Sequence, residues 1–216
     1  MIEAKEIYKS YETLEVLKGI SLKIEAGEVV SITGDSGAGK STLLHLLSSL
    51  DQPTSGEIWF ENELISSLKP NKLADFRNHQ VGFIFQFHQL LPELSAIENV
   101  CLPAWIGKKN KSETTEKAME LLNYLGMAHR AQHRPSQMSG GEQQRIAAAR
   151  ALINSPKVVF ADEPTGNLDS NNAQLLHNYF SKLRDQFNTS FVIVTHNRGL
   201  AAQSDRVIDL KDGQIA

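Results

Sequence analysis

The chain has 216 residues, 41% hydrophobic and 22% charged, with a formal net charge of −3. That length and balance support one domain with subdomains, and the weak negative charge excludes bulk attraction to nucleic acid or acidic lipid. The single cysteine, Cys101, excludes an internal disulfide; no apolar run approaches the roughly 18 residues of a membrane span, and Met1 to Lys5 lack the apolar stretch of a secretion signal, so the expected setting is the cytosol.

In chain order, Ile20, Leu22 and Ile24 alternate with Ser21, Lys23 and Glu25, the period of a half-exposed antiparallel strand. Val29 to Thr33 reads as a strand buried on both faces and Thr42 to Leu47 as a helix; residues 56–65 read as a hairpin turning near Asn62. From Gln86 to Ile153 the pattern becomes helical. Ser112 is predicted to cap a helix whose buried face is Ala118, Leu121, Leu122 and Leu125 and which ends at Gly126, while Pro92, Pro103 and Pro135 are predicted breaks. The basic run 108–111 reads as a solvated loop. Val158 to Ala161 and Phe191 to Thr195 are two further buried strands. The expected fold class is α/β: a parallel-sheet core with an antiparallel β part and a helical insertion, its function at the carboxyl ends of the strands.

Gly34-Asp35-Ser36-Gly37-Ala38-Gly39-Lys40-Ser41 fits G-x-x-x-x-G-K-[ST] between a strand and a helix opening at Thr42, the context of a phosphate-binding loop. Glycine permits the tight turn, and the helix start aims unpaired N–H groups at an anion. Residues Gly34 to Thr42 are therefore predicted to bind nucleotide, with Lys40 placing charge on the β/γ-phosphates and Ser41 offering a hydroxyl to Mg²⁺. A second feature is the buried strand ending in Asp162-Glu163. Neighbouring strand residues point to opposite sides, so Asp162 is the predicted Mg²⁺ partner and Glu163 the group that orients and deprotonates attacking water. Met138-Ser139-Gly140-Gly141-Glu142 opens a further helix with Ser139 as its N-cap, read alone an ordinary helix start and a potential phosphate contact.

The order of motifs carries a resemblance. A P-loop, a lone Gln86 after Phe83-Ile84-Phe85, then Ser-Gly-Gly-Glu-Gln-Gln-Arg, Asp-Glu-Pro-Thr-Gly-Asn-Leu-Asp and Thr-His resembles an ATP-binding cassette ATPase over essentially the whole chain. Residues 85–100 and 161–169 are similar to the group of LolD-type lipoprotein-releasing, MacB-type macrolide-exporting and FtsE-type cell-division cassettes, nearest to the LolD type. The resemblance implies one nucleotide-binding domain over 1–216, with 1–85 and 154–216 as core and antiparallel β part and 86–153 as a helical subdomain. ATP and Mg²⁺ are the implied ligands. It implies that Tyr11 stacks on adenine, with Tyr8 a nearby competitor, that Gln86 reaches Mg²⁺ and the attacking water, and that His196 contacts the γ-phosphate. Ser139, Gly141 and Asp169 are implied to act across a head-to-tail homodimer on the partner's ATP.

Two departures from the family pattern are Glu142 for the usual Gln and Asp35 within the P-loop; the Glu142 side chain is expected to point away from phosphate, and that of Asp35 occupies a position that need not face the ligand. The implied function is the ATPase motor of a lipoprotein-releasing transporter, peripheral on the cytoplasmic face of the inner membrane. Its implied partners are LolC/LolE-like permease subunits docking near Gln86, with lipoprotein as cargo through the permease and no nucleic acid. The alternatives are a macrolide or peptide exporter and an FtsE-like regulator that transports nothing; the absence of a fused membrane segment before Ala216 argues against the single-chain MacB form.

Overall fold

The computed structural model describes all 216 residues. The N-terminal half contains β1 (Ile2–Tyr11), β2 (Leu14–Ile24), β3 (Val29–Thr33), α1 (Lys40–Leu47), β4 (Ser55–Phe60), β5 (Glu63–Leu64), α2 (Pro70–Gln80), β6 (Val81–Ile84) and α3 (Ala96–Ile106). There follow α4 (Lys111–Tyr124), α5 (Gly140–Leu152), β7 (Val158–Asp162), α6 (Ser170–Phe187), β8 (Ser190–Val194), α7 (Arg198–Ala201), β9 (Arg206–Lys211) and β10 (Gln214–Ile215). One sheet is antiparallel in the order β2-β1-β4-β5; the other runs β10-β9-β3-β8-β7-β6 and is parallel except at β10. The turn between β4 and β5 pairs Phe60 with Glu63, so it falls at Glu61-Asn62 as expected.

Alternation along the parallel strands explains why they read as apolar without interruption. Val159, Ala161, Phe191 and Ile193 enter the apolar layer shared with α3 to α6, whereas Val158, Phe160, Val192 and Val194 enter the layer shared with α1 and the antiparallel sheet. A strand with an apolar layer on each side has no polar face to display.

Two expectations about the helical stretch are corrected. Asn110, not Ser112, caps α4: its side-chain oxygen accepts from Ser112 N at 2.9 Å and Glu113 N at 3.3 Å, satisfying two amide donors that helix starts leave unpaired. Pro103 lies inside α3 rather than breaking it. Its missing N–H removes a single ladder bond, while its carbonyl accepts from Gly107 N at 3.0 Å and Asn78 Nδ2 at 2.9 Å, and the buried neighbours Cys101 and Ala104 keep the helix in place. Pro135 opens a short 3₁₀ turn, where a proline has no donor to lose. The face of Ala118, Leu121, Leu122 and Leu125 is buried, and Gly126 follows it in the left-handed region.

Helix α5 rests on β6 at backbone distance. A Cβ on Gly82 would overlap the carbonyl oxygen of Ala151 and lie 2.9 Å from Val159 Cγ2. Gly82→Ala is expected to destabilise the fold by about 1–3 kcal/mol through overpacking, read as a lower urea midpoint at unchanged slope. An unchanged midpoint would mean that α5 can shift away from the sheet at no cost.

Candidate nucleotide site

Four parallel neighbours, β3, β8, β7 and β6, end on the same edge of the sheet, and each is followed by residues singled out from the sequence. β3 runs into the loop 34–39 and α1. β8 leads to Thr195 and His196, β7 ends in Asp162 with Glu163 next, and β6 leads to Gln86.

The loop after β3 is built around close approach. Gly34 has φ +141° and sits where a Cβ would overlap the carbonyl oxygen of Leu210 on β9; Gly39 caps α1 with φ +97°. A hollow of about 380 Å³ opens above the loop, walled by Val16, Ser36, Gly37, Gly39, Lys40, Ser41, Thr42 and Glu163. Lys40 folds over the loop, its Nζ donating to the carbonyl oxygens of Gly34 at 3.0 Å and Asp35 at 2.9 Å. Asp35 is exposed and forms no part of this wall, and Ala38 is buried beneath the loop.

On the other side of the hollow, Ser41 Oγ donates to Asp162 Oδ1 at 2.9 Å. His45, one helical turn beyond Ser41 on α1, places Nε2 3.9 Å from the other Asp162 oxygen. The adjacent Glu163 has φ +45°, a left-handed conformation costing a non-glycine residue about 1–2 kcal/mol. Its N–H nevertheless donates to Val194 O at 3.0 Å and its carboxylate Oε2 lies 2.9 Å from His196 Nδ1, so two strand ends and two side chains over-determine the turn. Gln86 packs its amide toward Gly166, where a Cβ would meet Nε2 at 3.0 Å, and its carbonyl accepts from Asn167 Nδ2 at 3.3 Å. The residues on both sides of it are strapped to α5: the guanidinium of Arg150 donates to His88 O at 2.7 Å and Gln89 O at 2.6 Å, and Gln144 Nε2 donates to Phe85 O at 3.3 Å.

Tyr11 ends β1 beside the P-loop helix, 46% exposed, with its hydroxyl donating to Asp51 Oδ2 at 2.7 Å. Burial first, then the neighbouring Asp51 carboxylate, pushes the phenol pKa up. Tyr8 instead lays its hydroxyl against Gly19 of β2.

Ser139, Gly141 and Asp169 form a separate cluster that shares no hydrogen bond with the loop 34–41. Ser139 caps α5, its side chain accepting from Glu142 N, while Asp169 caps α6 by accepting from Asn172 N at 2.9 Å and Nδ2 at 2.6 Å. Gly141 abuts that same Asn172, so two helix N-termini face outward together. Glu142 is turned back onto Ser139 N at 2.7 Å and Arg130 Nε at 2.8 Å. Sequence reading missed His45, Asn172 and Val16. The i,i+4 spacing from Ser41 signals His45, whereas nothing local signals the other two.

A glycine loop between a buried strand and a helix, with an acid at the end of a neighbouring strand bonded to the loop's serine, defines a P-loop nucleotide-binding protein. The family model described as "ABC transporter" matches residues 17–166. The lipoprotein-releasing system ATP-binding protein LolD of Cytophaga hutchinsonii is 56% identical over 215 residues, covering 100% of this chain and 98% of that one. Among solved structures, the dimeric bacterial ABC transporter cassette MJ0796 superposes with a TM-score of 0.91 at 39% identity, covering 100% of this chain and 96% of that chain. A post-hydrolysis dimer of the same cassette, bound to ADP and Pi, gives 0.91 at 38% identity over 100% and 96%. The chain belongs to the ABC transporter family, as an ATP-binding cassette and an ATPase.

The backbone bond from Ser139, opposed by partial burial and aided by Arg130, lowers the Glu142 pKa from 4.5 to about 2. A depressed carboxylate stabilises the fold fully above its unfolded value and loses that contribution as pH falls toward its folded one. The stability difference between the wild type and Glu142→Gln, which keeps the shape without the titration, is therefore expected to shrink between pH 4.5 and about 2. Urea unfolding across that range measures it, and parallel curves would contradict the assignment.

Proposed function

We propose that this chain is the ATP-hydrolysing motor of a transporter that releases lipoproteins from the inner membrane towards the outer membrane. The carrying observation is the alignment of Lys40 and Ser41, His196, Asp162 and Glu163, and Gln86 on one edge of four parallel strands. The lipoprotein assignment rests on the relative from Cytophaga hutchinsonii, which matches at 56% identity over the full chain.

The hollow above the loop takes the phosphates. Lys40, held by two loop carbonyls, exchanges them for β/γ-phosphate oxygens, and the amide groups opening α1 supply further donors. The Ser41 hydroxyl and the Asp162 carboxylate, bonded at 2.9 Å, are hard oxygen donors suited to Mg²⁺. Mg²⁺ supplies charge neutralisation at the phosphates when bound. In this reading Gln86 completes the set and touches the attacking water.

Glu163 accepts the water's proton as the water oxygen bonds to the γ-phosphorus and the bond from that phosphorus to the bridging oxygen breaks, leaving ADP and phosphate. His196, 2.9 Å away through Nδ1, holds the carboxylate in line, while its exposed Nε2 is available to the γ-phosphate. In the same reading the outward cluster of Ser139, Gly141 and Asp169 serves the ATP of a second copy, supported by the dimeric state of the 39% identical cassette, and residues 86–153 form the helical subdomain that carries it. Two such sites then close together by a two-fold.

A groove of about 400 Å³ bordered by Phe83, Phe85, Pro103, Ile106 and Arg150 lies beside Gln86, with Phe87 and Ile106 69% and 67% exposed nearby. This is the proposed seat for LolC/LolE-like permease subunits through which the lipoprotein passes. No helix is long and apolar enough to cross a membrane, and the proposed place is the cytoplasmic face of the inner membrane, bound through the permease.

Glu163→Gln is expected to lower kcat by at least about 100-fold while ATP still binds. Tagged Glu163→Gln protein, purified with ATP from gently solubilised membranes, is expected to bring down a permease pair together with lipoprotein. Recovery of a permease with a cell-wall hydrolase regulator would replace release by signalling, and recovery of no membrane protein would overturn the transporter reading.

A further inference from the structure

Lys9 is a buried cation outside the loop 34–41, on a strand the hydrolytic chemistry does not use. Its Nζ donates to Asp51 Oδ1 at 2.9 Å and to Gln52 O at 2.7 Å and lies 2.8 Å from Asp51 Oδ2, with the side chain only 11% exposed. The same ammonium stands 4.7 Å over the ring centroid of Tyr11. Lys9 and Tyr11 are two apart on β1 and so share a face. Tyr11 closes the circuit by donating its hydroxyl to the Asp51 oxygen that Lys9 approaches most closely. One face of the aromatic ring is thus occupied by a cation, in a residue that is 46% exposed.

Asp51 is itself fixed to the P-loop helix. Its N–H donates to His45 O at 3.1 Å, which belongs to the last turn of α1, and its carboxylate accepts from Gln52 N at 2.7 Å. Burial pushes the Asp51 carboxyl up, but the bonds from Lys9 and Tyr11 outweigh it and hold the group below the usual range, so it stays ionised. At its other end α1 carries Lys40 and Ser41. The phosphate loop and the Tyr11 ring are therefore tied to one rigid rod.

We propose that Lys9 and Asp51 are positioning residues for the adenine base: they lock the Tyr11 ring with one face on the ammonium and the other toward the nucleotide, at a separation from the phosphates set by α1. This rests on the reading of Tyr11 as the adenine platform. A hydrogen-bonded ring loses no rotamer freedom on binding, so its stacking energy goes into affinity for the base. The catalytic groups at the ends of β7 and β8 are untouched, and the effect falls on ATP binding rather than turnover.

The test measures steady-state ATPase of the full-length chain alongside competitive inhibition by inorganic tripolyphosphate, which binds the loop and has no base. Tyr11→Ala is expected to raise the KM for ATP by at least about tenfold, the loss of base stacking. Tyr11→Phe, Asp51→Ala and Lys9→Met, which leave an aromatic ring but cut the network, are expected to raise KM about three- to tenfold, one hydrogen bond's worth. In all three, kcat and the tripolyphosphate inhibition constant stay put, which a misfolded loop would not allow. Lys9→Arg, which restores a cation against Asp51, is expected to return KM towards the wild-type value. If Tyr11→Ala raises KM while the three network variants do not, the positioning role is wrong and the platform stands. If Tyr11→Ala leaves KM unchanged, platform and positioning role fall together. A kcat or tripolyphosphate effect equal to the KM effect would make the cluster a structural prop and overturn the proposal.

Discussion

Parallel pairing of β3 with β8, β8 with β7 and β7 with β6 is the constraint on which the site depends, because it brings four strand ends to one edge of one sheet. Each of those ends delivers a different chemistry: a cation and an anion-binding loop, an imidazole, two carboxylates and an amide. Sequence separations above 100 residues between Ser41 and Asp162 become a 2.9 Å hydrogen bond only through that register. The register in turn holds because both faces of the strands are buried, so a one-residue slip would exchange the residues facing the two apolar layers and spoil the packing of both.

Within that frame the polar groups are already satisfied by one another. Lys40 rests on loop carbonyls, Ser41 on Asp162, and Glu163 on His196. In the proposed function a triphosphate entering the hollow exchanges partners for groups that are already aimed, which keeps reorganisation small. The left-handed backbone of Glu163 costs conformational energy, and it is held by the bond from its N–H to Val194 and by the His196 contact. Lys9, Asp51 and Tyr11 extend the same economy to the far end of α1.

Within the chain Ser139 and Asp169 cap α5 and α6, and these two helix N-termini face outward around Asn172. The straps from Arg150 and Gln144 connect the helix that Ser139 caps to the residues on both sides of Gln86. A displacement of α5 therefore moves both the outward cluster and the wall of the groove beside Phe85. In the proposed cycle this is how occupancy by ATP at one surface becomes motion at another.

The class of fold, the P-loop and the paired acids were legible in the sequence because each is encoded locally: glycines where the chain must turn, apolar runs where both faces are buried, acids at a strand end. The capping of α4 by Asn110 and the passage of α3 through Pro103 were misread, since Asn110 and Ser112 are both good caps and only packing decides which one the chain uses. Asn172 and Val16 carry no local mark at all. The sequence by itself determined which residue types suited to phosphate are present and in which order they occur. The tertiary structure alone decided which of them meet, that Glu142 turns from the surface to Arg130, and that Lys9 and Asp51 reach Tyr11, because those outcomes rest on register and helix placement between residues far apart along the chain.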